Sequence, residues 1–387
     1  MRPFLRLEIL ASPATAAAGA PKIELGHMPE WDLSDLYAGP TAPQIKADIA
    51  TAGEEAKRMK AAYQGKLAEL ARDGAKLVVA VKDYEKLSDT MGKLGSYAGL
   101  YYAQNQSDPA RAKFYGDVSE ALTRISTDLI FFELELNQID DAVLDAAIAH
   151  KDLARYKPWF DDLRKEKPHQ LDEKLETLFT EKSQTGRAAW TRLFNETMSS
   201  LRFDVEGEKE PLSLEPTLNL MTDPAEPRRR AGSEALAKAF KTNLPLFTLI
   251  TNTLAKDKEI SDRWRHFKDV ADSRHLANRV EAPVVDALVS SVRAAYPRLS
   301  HRYYAMKAKW LGMDKLSHWD RNAPLPEKPE RVITWPEAQA IVLKAYGAFA
   351  PDMAAIAREF FEKNWIDAPV KPGKAPGAFS AATVPSV

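Results

Sequence analysis

Apolar residues recur at intervals of three and four along most of this chain, the spacing that lines one face of an α-helix. Ile45, Ile49, Ala52, Ala56, Met59, Tyr63, Leu67 and Leu70 form the first stripe. Gly74 punctuates it, and Leu77, Val81, Tyr84, Leu87, Met91, Leu94, Ala98 and Tyr101 repeat the pattern. Ser107-Asp108-Pro109 marks a helix start, a capping side chain followed by a proline tolerated in the first turn. A third stripe runs through Phe114, Val118, Leu122, Ile125, Leu129, Phe132, Leu136 and Ile139. Three long amphipathic helices joined by short turns predict an antiparallel helical bundle.

Shorter helices follow over 141–200, with breaks near Pro158 and Pro168. The period then changes. Leu201, Phe203 and Val205 alternate, Glu206-Gly207 supplies a turn, and Leu212 and Leu214 alternate again, which predicts a small β-hairpin near 201–214. Helical spacing resumes after Asp223-Pro224 and continues to Lys268. A further long helix runs from about Pro283 to Trp310, with Gly312 as its stop. After a proline-rich loop over 318–330, helices near 336–349 and 351–364 lead to Lys371-Pro372-Gly373-Lys374-Ala375-Pro376-Gly377. From Gly377 to Val384 the chain reads as a terminal strand. Phe379, Ala381 and Thr383 fall on one side of it, Ala378, Ser380 and Ala382 on the other. Residues 1–27 are rich in Ala and Pro and aperiodic, and read as a disordered tail. The pattern divides the chain into that tail, a helical bundle over 28–125, a second helical domain over 126–200, and a third region over 201–387. No repeat of the helical-solenoid kind is present.

Composition narrows the chemistry. With 54 basic and 55 acidic residues in 387, the net charge of -1 gives no global attraction to nucleic acid or anionic membrane. Hydrophobic residues at 45% suffice for a sizeable core. The absence of cysteine removes disulfides, thiolate metal sites and cysteine nucleophiles together, and fits a reducing, cytoplasmic setting. No run approaches the ~20 apolar residues of a membrane span. Near the N-terminus Arg6 and Glu8 interrupt the one apolar run, so a loose tail is the reading ahead of a secretion signal, with a transit peptide a weaker third.

Seven histidines are present, His27, His150, His169, His266, His275, His301 and His318, and no two are four apart. A helical zinc motif needs that spacing so that both rings face one metal, so each histidine reads as solvated or structural. No phosphate-binding Gly-rich loop, dinucleotide fingerprint or serine nucleophile elbow occurs. Asp161-Asp162, Glu133 with Glu135, and Arg228-Arg229-Arg230 read as solvated helix faces, and His318-Trp319-Asp320 as a loop aromatic closing the surface. No catalytic and no metal-binding residue is identified.

Trp31-Asp32-Leu33-Ser34-Asp35-Leu36-Tyr37 resembles the opening signature of oligoendopeptidase F-type zinc metallopeptidases, the M3B branch of the M3 family. Phe131-Phe132-Glu133-Leu134-Glu135-Leu136-Asn137, Leu153-Ala154-Arg155-Tyr156 and Glu166-Lys167-Pro168-His169-Gln170-Leu171 are similar to the family's N-terminal oligopeptidase F domain. The stretch from Arg302 to Gly312, and Trp365-Ile366-Asp367-Ala368 with Gly373-Lys374-Ala375-Pro376-Gly377-Ala378-Phe379, look like parts of its catalytic domain. The resemblance runs from about Met28 to the last residue.

It implies a mainly α fold: an elongated antiparallel helical bundle leading into the first, incomplete half of an α-helical M3 catalytic domain. It also implies hydrolysis of short unfolded peptides by a zinc whose bound water is deprotonated by a glutamate. In the family an H-E-x-x-H helix follows the Gly-Ala-Phe/Tyr strand, and this sequence contains none. The expectation is therefore an N-terminal portion, inactive as given and without zinc of its own. Gly377, Ala378, Phe379 and Ser380 would form the substrate-facing edge, because an edge strand lets a peptide add to it by main-chain pairing. The other reading of these four residues is an ordinary structural strand, or a terminus that frays without its sheet partners. The alternative function is a non-catalytic helical peptide-binding or interaction module. A nucleic-acid binder using Arg228 to Arg230 is disfavoured by the charge balance.

Overall fold

Prolines and aspartates set the helix starts in the computed structural model, which describes residues 25–326, 331–374 and 377–387 together with the backbone of 7–9. The expected tail over 1–27 lies largely outside the described residues. The first helices are α1 (Pro43–Tyr63), α2 (Leu67–Leu70), α3 (Gly74–Ala103), α4 (Pro109–Thr127) and α5 (Ile130–Gln138). Pro43 stands in the first turn of α1. Asp73 caps α3, and Asp108 caps α4 by accepting the Ala110 N–H at 2.8 Å, with Pro109 next to it. The third apolar stripe is two helices, not one. Ser126 and Thr127 turn their hydroxyls back onto the Thr123 and Arg124 carbonyls, and the chain bends at Asp128-Leu129 before α5 begins.

α1, α3 and α4 pack on one another, and α5 closes the group through α2. The stripes bury Met59, Leu77, Met91, Leu94, Phe131, Phe132 and Leu136 almost completely, each contributing about 1.5–3 kcal/mol. Tyr84 stacks on Phe132 with ring centroids 4.4 Å apart, and Tyr37, Tyr101 and Phe114 surround Tyr97. Then come α6 (Asp141–Ile148), α7 (Lys157–Glu166), α8 (Glu173–Lys182) and α9 (Arg187–Ser200). Asp140 and Asp172 cap α6 and α8.

The expected hairpin near 201–214 shrinks to one bridged pair. Phe203 and Leu212 exchange two backbone hydrogen bonds at 2.9 Å, and Gly207 turns the chain with φ +89°. Leu214 does not continue a strand. It opens a helix, α10 (Leu214–Asn219), because Ser213 enters with extended backbone and its carbonyl takes the Thr217 N–H. Phe203, Val205, Leu214, Leu220 and Ala235 then form a second, small core.

The remaining helices are α11 (Glu226–Thr242), α12 (Leu244–Trp264), α13 (Asp272–Ala277), α14 (Ala282–Ala295), α15 (Arg302–Trp310), α16 (Trp335–Phe349) and α17 (Pro351–Glu362). A π-turn over 297–301 links α14 to α15, where Pro297 has no N–H to give. Gly312 ends α15 with φ +69°. α16 and α17 pack on each other as a hairpin. The terminal strand is shorter than expected. β2 spans Ala378–Ser380 and pairs antiparallel with β1 (Leu7–Ile9), with Phe379 opposite Glu8. Residues 381–384 make no ladder. No described helix is long and apolar enough to cross a membrane.

Candidate functional site

The residues proposed to face a peptide follow a strap, 363–374, that the N-terminal signature holds down. The Asp32 N–H donates to the Asn364 carbonyl at 2.8 Å, and the Ala368 N–H to the Pro29 carbonyl at 2.9 Å. The Trp365 indole donates to Asp35 Oδ2 at 2.9 Å. The Ser34 N–H, 2.9 Å from Asp32 Oδ1, holds that carboxyl below its usual range. The Glu30 carboxylate pairs with Lys371, whose hydrogen bond pulls the Glu30 pKa down likewise. The aromatic and acidic cluster at 31–37 is therefore a lock on the strap, while Leu36 and Tyr37 reach the bundle core.

Two backbone approaches fix the rest. Gly373, at φ +83°, accepts the Gln106 N–H at 2.7 Å. A Cβ added there would lie 2.1 Å from Asn105 Oδ1 and 3.1 Å from Ser107 Oγ, so the turn before α4 admits only glycine against it. Past the strand, a Cβ at Gly92 would stand 2.6 Å from Val384 Cγ1, which lays the chain end across α3. Between these points Lys374 donates to the Asp367 and Pro369 carbonyls at 3.0 and 2.7 Å, which ties the loop to itself.

The four candidate residues come together as the sequence orders them. Gly377, at φ +83°, donates its N–H to Glu215 Oε1 at 3.1 Å, a contact from α10 that nothing in the sequence pointed to. Ala378 and Ser380 are exposed, and Phe379 is half-buried with its ring edge-on to Trp31 at 5.9 Å. With β1 on one side, the other edge of β2 carries no strand among the described residues. Chemically the segment offers backbone donors and acceptors, one hydroxyl and small side chains. Gly377, Ala378, Phe379 and Ser380 themselves carry no acid, base or metal ligand.

Among the described residues no group of three or more His, Asp or Glu side chains is placed to hold a metal ion. A zinc site takes three or four such donors, so the described residues do not fit one. His169 instead holds the Arg265 carbonyl at 2.7 Å and stacks on Phe267, and His318 Nε2 meets Ser233 Oγ at 2.8 Å.

Two motifs read apart in the sequence meet here, and this corrects the reading of Arg229 as a solvated face. Arg229 and Asp320 are both buried, with Arg229 Nη2 and Nε at 2.8 and 3.2 Å from Asp320 Oδ1. Arg229 Nη1 also donates to the Asp223 and Pro224 carbonyls, each at 2.8 Å. Trp319 donates to Glu226 Oε1 at 3.0 Å. Lys307 is buried beside the pair and donates to the Arg321 carbonyl at 2.7 Å, and burial followed by the Arg229 charge lowers its pKa. The cluster pins the loop after α15 to α11. Asp162 is likewise no free acid, since it pairs with Arg279 and Lys165. Glu135 accepts the Gly65 N–H at 2.6 Å, and Glu133 the Tyr84 hydroxyl at 3.1 Å.

Comparison with known proteins fits this geometry. The family model described as Oligopeptidase F, the N-terminal model of the M3 peptidases, matches residues 135–203. Oligopeptidase PepF of Bacillus subtilis is 25% identical over 326 residues, 82% of this chain and 48% of that protein. Group B oligopeptidase PepB of Streptococcus agalactiae is 23% identical over 358 residues, 91% of this chain and 58% of that one. The crystal structure of oligoendopeptidase-F from Enterococcus faecium superposes with a TM-score of 0.66 at 17% identity, covering 85% of this chain and 68% of that one. The fold is thus the helical one of these peptidases. The chain is a relative of the oligoendopeptidase F-type peptidases of the M3 family, and it spans about half to three-fifths of the length of the curated relatives it matches.

Proposed function

We propose that this chain supplies the helical wall and one substrate-facing strand of a zinc-dependent oligoendopeptidase acting on short unfolded peptides. The observation that carries the reading is the match to two oligopeptidases along 82% and 91% of its length. In this reading residues 28–125 and 126–200 are the helical N-terminal domains, and 201–387 opens the catalytic domain. The metal and its water-activating base belong, in this reading, to the part of the relatives that this chain does not match. When bound, zinc supplies a polarised water as nucleophile. What this chain's own residues do is bind and orient. Gly377, Ala378 and Ser380 present main-chain groups to an extended peptide, Phe379 anchors the strand on Trp31, and the strap contacts keep the strand from moving. Main-chain pairing reads little side-chain sequence, which suits cleavage of many short peptides. The cysteine-free composition fits a cytoplasmic setting.

The test is direct. This chain is expected to take up no stoichiometric zinc after dialysis and to show no chelator-sensitive turnover of short fluorogenic peptides. It is expected to bind such peptides weakly, with binding lost in Ala378→Pro and Ser380→Pro. Chelator-sensitive turnover by this chain, or affinity unchanged in both proline variants, contradicts the reading.

A further inference from the structure

Helix α12 ends in a stop that glycine would serve better. The His266 N–H returns to the Arg263 carbonyl at 3.3 Å and the Phe267 N–H to the Asp262 carbonyl at 2.9 Å, the paired bonds of a Schellman stop. That stop needs a left-handed residue, and His266 takes the position at φ +60°. A side chain strains the backbone there, so its presence asks for a use. Two other described residues besides glycine have such a φ. Arg279 pairs with Asp162 across elements, and Asn364 is of a type that visits this region readily. The His266 ring is exposed and has no hydrogen-bond partner among the described residues.

His266 lines a cleft of about 480 Å³, a size that suits a small organic ligand. Leu171, Asp172 and Leu175 line it from the start of α8, and Arg263, Trp264 and His266 from the end of α12. The intervening residues clamp the two segments together. Arg265 donates to both Glu176 carboxylate oxygens, at 2.7 and 2.8 Å, and its carbonyl lies 2.7 Å from His169 Nδ1. Phe267 stacks on the His169 ring with centroids 3.8 Å apart, and the Leu171 N–H meets Glu176 Oε1 at 2.9 Å. The walls are therefore set before any ligand arrives. Their chemistry is mixed. Trp264 is 45% exposed, beside two half-buried leucines. Asp172 Oδ1 caps α8 by taking the Leu175 N–H at 3.1 Å. Arg263 spends Nε on Glu259 at 3.0 Å, and its Nη groups have no partner among the described residues. Asp172 and Arg263 do not pair with each other.

We propose that this cleft binds a free aromatic amino acid. Its ammonium group goes to Asp172, its carboxylate to Arg263 and the His266 ring, and its aromatic ring against Trp264 and the two leucines. Charge selects this ligand class. A simple anion would meet the Asp172 carboxylate and a simple cation the Arg263 guanidinium, whereas a zwitterion answers both. The indole selects the side chain, since an aromatic pair is worth more than its buried area. A histidine at the αL stop then trades some stability for a donor at the carboxylate end, as strained residues at binding sites do. Nothing in this inference draws on the peptidase reading.

The experiment titrates the full chain with L-phenylalanine by calorimetry, beside L-phenylalaninamide, N-acetyl-L-phenylalanine and L-leucine. One saturable site for L-phenylalanine is expected. The amide, which lacks the carboxylate, and the acetylated form, which lacks the ammonium, should each bind at least about tenfold more weakly, and L-leucine severalfold more weakly. Arg263→Gln should bind phenylalanine and its amide alike. Asp172→Asn, which keeps a capping oxygen, should bind phenylalanine and its acetylated form alike. His266→Gly separates binding from folding: it should weaken L-phenylalanine at least about tenfold while its urea midpoint is no lower than that of the parent chain. Absence of saturable binding at millimolar L-phenylalanine overturns the proposal. So does equal affinity for all four compounds, which would mark a mere apolar patch, and so does unchanged affinity in Arg263→Gln, Asp172→Asn and His266→Gly, which would place the ligand elsewhere.

Discussion

The bundle around α3 and the helices after residue 244 are built from the same kind of sequence and end in opposite states. Both show apolar residues at threes and fours, and both start helices with proline in the first turn. In the first, the stripes meet and Phe131, Phe132, Leu94 and Met59 vanish from solvent. In the second, Ile250, Ala308 and Ala323 are the buried apolar residues among those described, while Val284, Leu288, Phe349 and Ile356 face outward. Periodicity alone therefore says that a helix has a face to bury, and not that the face has found its partner. The first region is stabilised by its own core. The second is held by a few polar ties: Arg229 with Asp320, Arg265 with Glu176, and the strap under Asp32 and Asp35.

The comparison is broken most severely at those ties and at that core. Asp320→Ala leaves the Arg229 guanidinium buried and uncompensated, and is expected to cost about 3–5 kcal/mol. The loss should appear by hydrogen exchange as local opening of α11 and α15, with α3 unaffected. Phe132→Ala removes the ring stacked under Tyr84 and should cost about 3–4 kcal/mol in global urea unfolding. If Asp320→Ala instead lowers the stability of both regions equally, they are one cooperative unit and the contrast fails.

Gly373→Ala comes next. The left-handed backbone and the 2.1 Å approach to Asn105 Oδ1 force the strap off the turn before α4, at about 2–3 kcal/mol. Proteolysis within 363–374 should speed up accordingly, and Asn105→Ala should leave the φ strain while relieving the overlap.

Alkaline pH acts on the bundle. Burial pushes the Tyr97 and Tyr102 hydroxyls up to about 12. Burial first and then Asp48 raise Tyr37, and burial followed by Glu133 raises Tyr84. A raised folded-state pKa gives stability that is complete below the unfolded value of about 10 and is lost as pH climbs from there. Circular dichroism should show the helices constant to about pH 10 and melting toward pH 12. Titration of all these tyrosines near 10 without loss of helix would contradict their burial.

The smallest effect belongs to the exposed stripe. Leu288→Ser should change the unfolding free energy of the chain alone, read by urea titration, by under about 0.5 kcal/mol, since its face is in water already. A loss of about 2 kcal/mol or more would mean that the face is covered in the isolated chain.

Much of the architecture was legible because stripes, caps and prolines act locally. Asp108-Pro109, Gly312 and the α16–α17 break at Ala350-Pro351 are read from neighbouring residues. The misread elements depend on what lies across space. The third stripe keeps its spacing through Asp128 although hydroxyl back-bonding bends the chain there. Alternation at 201–214 signalled a hairpin, but Ser213 opens a helix and leaves one bridge. At the candidate site Gly377, Ala378, Phe379 and Ser380 were visible, whereas Glu215, 162 residues from Gly377, and Asn105, 268 residues from Gly373, were not. Arg229 and Asp320 each stood inside a noticed motif. Ninety-one residues separate them, and spacing could not join them.

Native-state hydrogen exchange on the unmodified chain tests the central contrast most directly, because each amide reports the free energy of its own opening. Amides of α3 and α5 are expected to exchange only through global unfolding. Those of α14, α16 and α17 should exchange at least about a hundredfold faster, through local openings roughly 3 kcal/mol cheaper. Uniform protection across the two regions in a monomeric chain would contradict the account, because helices with no buried face have nothing to hold them closed.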